Sequence, residues 1–185
     1  MNNTQSQQIK KVDVDTSTGR TKELLDAVQA KYGMVPNTFA TMASSPVTLE
    51  AFLGLNSTLE NGSLSFELRN QIAVLVSELN GCAYCLSAFT AIGKGAGIKD
   101  ETLATCRMAS SDKPKIETAH KFAKELVQNH GVVDKKMIEE MQKMGYGEIE
   151  LGEIVANIAM ITFINYFNLI ANTKIDFPLI TPGIH

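Results

Sequence analysis

From Thr21 almost to the C-terminus, apolar residues recur at helical spacing, and no convincing run alternates apolar and polar positions as a strand requires. That pattern predicts an all-α fold. Leu24, Leu25, Val28 and Tyr32 mark a first helix that Gly33 ends. Val35-Pro36-Asn37 opens a short second segment, and Ser44-Ser45-Pro46 supplies a cap and a first-turn proline for a helix running to about Leu59. Leu64 to Leu79 reads as a strong helix with Leu68, Ile72, Leu75, Val76 and Leu79 on its apolar face. Asn80-Gly81 interrupts it, and a new helix starts at Cys82 and Cys85 and runs to about Gly95. Helices through Arg107, from Lys113 to Asn129 and from Lys135 to Met144 follow, then a long C-terminal helix. The tail after Asp176, with Pro178 and Pro182, is expected to be extended. Residues 1–20 are polar and read as a flexible arm. No fixed-period repeat or composition shift divides the rest, so residues 21–185 form one expected domain.

The composition narrows the function. Of 185 residues, 44% are apolar and 20% charged, as in a globular protein. Seventeen Lys and Arg face 20 Asp and Glu, a net charge of −3, and there is no Trp. That argues against a basic nucleic-acid binder, a polybasic membrane patch or a base-stacking surface. Three cysteines are too few for a disulfide-stapled secreted scaffold, and the polar N-terminus has no apolar signal segment, so the expected compartment is cytoplasmic. Ile154 to Ala171 is about long enough to cross a bilayer. However, Asn157, Asn165, Asn168 and Asn172 fall within a sector of roughly 80° at 100° per residue. A lipid-facing helix would leave those amides without partners, so the expectation is a helix buried in a core or subunit interface, its stripe reaching water or polar groups.

Cys82-Ala83-Tyr84-Cys85 is the feature that can carry chemistry. Thiols three apart on the first turn of a helix sit by unpaired amide N–H groups and the positive dipole end, a setting that favours a thiolate and permits a small-ring disulfide. The alternatives are half of a zinc site, for which Cys106 and three scattered histidines offer no obvious partners, or two packed core residues. Glu78 shares a helix face with Cys82, Cys85 and Phe89 if the helical phase survives Gly81. It is then a candidate base, the alternative being a solvated surface carboxylate. Tyr84 is a candidate pocket residue. Gly93-Lys94-Gly95-Ala96-Gly97 lacks P-loop spacing and reads as a helix end; Cys106 reads as packing.

The stretch LSFELRNQIAVLVSELNGCAYCLSAFTAIGKGAGI resembles the carboxymuconolactone decarboxylase family in its alkylhydroperoxidase D-like branch. YGMVPNTFATMASSPVTLEAF and FINYFNLIANTKIDFP resemble the two ends of the same domain. The resemblance implies a helical fold around a central helical hairpin, a homo-oligomer (trimer or hexamer), and thiol-dependent reduction of hydroperoxides or small disulfides. It implies that Cys85 attacks the peroxide, that Cys82 resolves the product as a disulfide, and that a lipoyl or thioredoxin-like dithiol protein restores the thiols. No metal or organic cofactor is expected. Two relay positions depart from the family pattern: the usual glutamate twelve residues before Cys82 is Asn70, and the usual histidine four after Cys85 is Phe89. Asn70 cannot act as a base near neutral pH and Phe89 cannot shuttle a proton, which leaves Glu78 as the compensating carboxylate. The alternative is a redox-sensing or binding scaffold of the same fold without efficient turnover.

Overall fold

The computed structural model describes residues 9–183, within which there are nine helices and no strand. They are α1 (Gly19–Tyr32), α2 (Asn37–Met42), α3 (Pro46–Glu60), α4 (Phe66–Leu79), α5 (Ala83–Gly95), α6 (Asp100–Cys106), α7 (Pro114–Gln128), α8 (Lys135–Lys143) and α9 (Glu148–Ala171). The local signals explain most boundaries. Gly33 takes a left-handed conformation and its N–H closes α1 on Gln29 O. The Ser45 hydroxyl accepts from Thr48 N ahead of Pro46, and the Ser65 hydroxyl accepts from Leu68 N at the start of α4.

The N-terminal segment departs from the expected arm where it is described. α1 begins at Gly19, Val12 N donates to Ala40 O, and Val12 and Val14 pack on the core. Two β-branched side chains spaced by one residue are enough to hold a short extended segment against an apolar surface. Residues 1–8 of that arm lie outside the described residues.

α4 is the axis of the bundle, packing against α5, α6, α7 and α9. Its apolar residues were expected on one face; instead the helix is buried from Asn70 to Glu78 all round. Every polar group on it therefore needs a protein partner, and these partners organise the site. Gly81, at φ +67, makes the turn between α4 and α5, and the two form the central hairpin. α9 is long and apolar enough to span a membrane. Half of its most apolar stretch is buried here against α3, α4, α5 and α7, with Asn157, Asn165 and Asn168 on the inward side. The chain then leaves α9 through Asn172, at φ +49, and runs without regular structure across the α4–α5 hairpin.

Candidate active site

α5 begins at the dithiol. Cys82 is its N-cap residue, with Sγ accepting from Cys85 N at 3.4 Å. Its own N–H is held by Ser77 O at 2.9 Å, back in α4. The two cysteines approach to 3.3 Å, both buried and unbridged. Their environments push them apart. Cys82 is held below the ordinary thiol range, first by the bond from the Cys85 thiol, then by the Cys85 and Tyr84 N–H groups, against the effect of burial. Cys85 is pushed well up, first by burial, then by its bond to Cys82 and the charge there; the amides of Asn165 and Asn168 work in the opposite direction. The helix start thus favours a thiolate at Cys82, while burial keeps the proton on Cys85.

Cys85 opens onto a cavity of about 230 Å³ lined almost wholly by apolar side chains, among them Tyr32, Phe39, Phe52, Phe89, Ile164 and Phe177. Cys82 is not part of that lining. Tyr84 lines the same cavity, and its hydroxyl is fixed: it accepts from Thr38 N at 3.1 Å and donates to Asp176 Oδ1 at 2.8 Å. Asp176 also accepts from Asn37 N at 2.7 Å, so the C-terminal tail is tied to the start of α2 over the cavity. Phe177 meets Tyr84 edge-on, with ring centroids 5.9 Å apart.

The two relay positions meet in space: Asn70 Nδ2 donates to Phe89 O at 3.0 Å. Asn70 Oδ1 has no hydrogen-bond partner, and a Cβ on Gly93 would come within 2.5 Å of it, so the glycine run ending α5 gives this close approach. Phe89 shares the cavity wall with Cys85. Glu78 is fully buried, which removes the solvated-surface reading. Its carboxylate is paired with Arg107, just past the end of α6, at 2.7 Å and accepts from Gly183 N at 2.6 Å. A carboxylate so held must surrender a buried ion pair to take a proton.

The residues that sequence reasoning missed come from α9. Asn168 Nδ2 donates to Cys85 Sγ at 3.2 Å. Asn165 Nδ2 donates to Ser77 Oγ at 3.2 Å, while its oxygen accepts from Asn80 Nδ2 at 2.9 Å. The amide stripe was visible in the sequence, but not that its target is the dithiol. Among the described residues no three His, Cys, Asp or Glu cluster as metal ligands. Cys106 is packed, its thiol donating to Leu103 O, and burial pushes it up to about 12.

Residues 46–125, which carry α4, the dithiol and α5, match the sequence profile of the carboxymuconolactone decarboxylase family. Over this stretch the chain is similar to that family. No curated protein matches the chain in sequence. Among solved structures, the debrominase Bmp8 is similar over 92% of this chain and 93% of its own, at 23% identity and a TM-score of 0.79. A variant of Bmp8 has been solved in complex with 2,3,4-tribromopyrrole. A peroxidase-related protein with an alkylhydroperoxidase D core from Ralstonia eutropha JMP134 is similar over 90% of both chains, at 22% identity and a TM-score of 0.79. A peroxidase-related protein from Silicibacter sp. TM1040 covers 90% of this chain and 92% of its own, at 22% identity and a TM-score of 0.77. At these identities the likeness is one of fold, and the fold is alkylhydroperoxidase D-like.

Proposed function

We propose that the protein is a thiol-dependent oxidoreductase that reduces organic hydroperoxides through Cys82 and Cys85. The observation that carries this reading is the division of labour in the dithiol: the more acidic sulfur caps the helix, and its neighbour at 3.3 Å faces an apolar cavity. A hydroperoxide with a compact hydrocarbon body fits that lining better than hydrogen peroxide does. The Cys82 thiolate takes the Cys85 proton. The Cys85 sulfur then attacks the outer peroxide oxygen: an S–O bond forms, the O–O bond breaks, sulfur loses two electrons, and the alkoxide leaves and is protonated. Cys82, deprotonated again, displaces hydroxide from the Cys85 sulfenic acid to give the disulfide. A dithiol protein of lipoyl or thioredoxin-like type is the proposed reductant, and a homo-oligomer in the cytoplasm the proposed setting. In this scheme Cys82 fills the place of the base, and Glu78 supports the site through Arg107 and the tail.

General acid–base catalysis is typically worth ~10²–10⁴-fold, so turnover is expected to be slow with Asn70 and Phe89 in the relay positions. The test is steady-state consumption of cumene hydroperoxide with excess dihydrolipoamide. Activity that vanishes in Cys85→Ser supports the assignment, and activity unchanged in that variant removes it. Disulfide formation without turnover would favour a redox-sensing scaffold instead.

The aromatic lining, together with the halopyrrole complex of Bmp8, favours one second reading: reductive removal of bromine from a small aromatic ring. There the dithiol supplies two electrons, the ring carbon takes a proton, and bromide leaves. Bromide release from a bromopyrrole by the reduced protein distinguishes it.

A further inference from the structure

Asn168 is 3% exposed and lies on the turn of α9 that faces the hairpin. Its Nδ2 is 3.2 Å from Cys85 Sγ, whereas its Oδ1 is buried without a hydrogen-bond partner. A buried acceptor left unpaired costs stability and calls for an explanation, of which a ligand or intermediate that completes the bonding is one. Asn165, one turn earlier, also favours the Cys85 thiolate but differs in that both ends of its amide are already engaged, by Ser77 and Asn80. Of the two amides near the reacting sulfur, only Asn168 therefore has an acceptor to spare.

We propose that Asn168 is a catalytic residue of the hydroperoxide reaction, its amide N–H steadying the Cys85 thiolate and its Oδ1 accepting the O–H proton of the bound hydroperoxide. This rests on the function proposed above and adds the group that stands in for the missing relay. As the S–O bond forms and the O–O bond breaks, that O–H becomes the O–H of the Cys85 sulfenic acid, and Oδ1 keeps it. The sulfenic oxygen is thereby held away from Cys82, leaving the sulfur open to the Cys82 thiolate in the second step. Asn168 neither gains nor loses a proton, which suits a side chain with no titration in the ordinary range. It supplies orientation and charge stabilisation where a glutamate and histidine would supply proton transfer.

The test compares the full-length reduced wild type with Asn168→Leu, which keeps the branched outline and removes both polar ends, and Asn168→Ser, which keeps a short donor. The first readout is site-resolved alkylation of Cys85 by iodoacetamide as a function of pH, which needs no peroxide. The second is the rate of dithiol oxidation by cumene hydroperoxide. Asn168→Leu is expected to move the Cys85 alkylation midpoint up by about one pH unit and to slow oxidation at neutral pH by roughly 10–100-fold, the range expected for losing a hydrogen bond to a charged group. Asn168→Ser is expected to fall between the two, with Cys82 and Cys106 alkylating as in the wild type. Wild-type midpoints and oxidation rates in both variants would overturn the proposal. If wild type does not react with the hydroperoxide at all, the function proposed above fails; the alkylation midpoint still reports whether Asn168 supports the thiolate.

Discussion

At the scale of single residues, the site turns on what surrounds two sulfurs. Phe89 stands in the cavity wall beside Cys85, where it deepens burial, and Asn70 is spent on the Phe89 carbonyl. Phe89→His, alone or with Asn70→Glu, is expected to raise the rate of dithiol oxidation about 10–10²-fold, part of what general acid–base help is worth. Stopped-flow oxidation by an organic hydroperoxide measures it, and an unchanged rate in both variants means that proton transfer is not limiting. The Cys82-x-x-Cys85 pair could be read from the sequence because its spacing is local to one helical turn. The partners of Glu78 could not. Its burial depends on Arg107 and Gly183, which are 29 and 105 residues away, and helical periodicity carries no information about which long-range groups meet.

At the scale of elements, helix punctuation was legible because caps and glycines act within a few residues. Ser45 and Gly33 behave as their chemistry dictates. The role of the C-terminal tail was not legible: Pro178 and Pro182 announce an irregular segment but not its docking. It is tied down at successive points, by Tyr84 to Asp176, by Ser87 Oγ accepting from Ile180 N at 2.9 Å, and by Arg107 Nη2 donating to Thr181 O at 2.8 Å. Tyr84→Phe removes the hydroxyl shared by Asp176 and Thr38 N and leaves a buried N–H without its partner. A stability loss of about 1–3 kcal/mol is expected in urea unfolding. A loss near zero would show that the tail is not held through Tyr84.

At the scale of the whole molecule, α4 is an interior helix carrying polar groups, and the fold depends on satisfying them. Arg107→Met strips the Glu78 carboxylate of its cation and is expected to destabilise the protein by about 3 kcal/mol, measured by chemical denaturation; a neutral result would mean the pair contributes little. His120 contributes to acid sensitivity. It is fully buried on α7 with Nδ1 3.3 Å from Ser110 O, and burial lowers its pKa from 6.5 to about 4. In the unfolded chain it binds a proton below about pH 6.5, but in the folded protein only below about pH 4. Its contribution is therefore complete above pH 6.5 and is lost as the pH falls through that window, on the order of 3 kcal/mol by pH 4. His120→Asn is expected to flatten the stability profile between pH 6.5 and 4; a profile as steep as that of the wild type would place the acid sensitivity elsewhere. The all-helical class was legible from periodicity across the chain. The inward orientation of the α9 amides was not, because the same stripe suits a wet face, a subunit contact or a buried network.

The most direct measurement is peptide mass mapping of the reduced protein after one equivalent of cumene hydroperoxide. The account predicts a single Cys82–Cys85 disulfide with Cys106 still a free thiol, a Cys85 sulfenic acid that forms more slowly but persists in Cys82→Ser, and no peroxide consumed by Cys85→Ser. A reduced dithiol after the oxidant is spent, or oxidation that begins at Cys106, would contradict it.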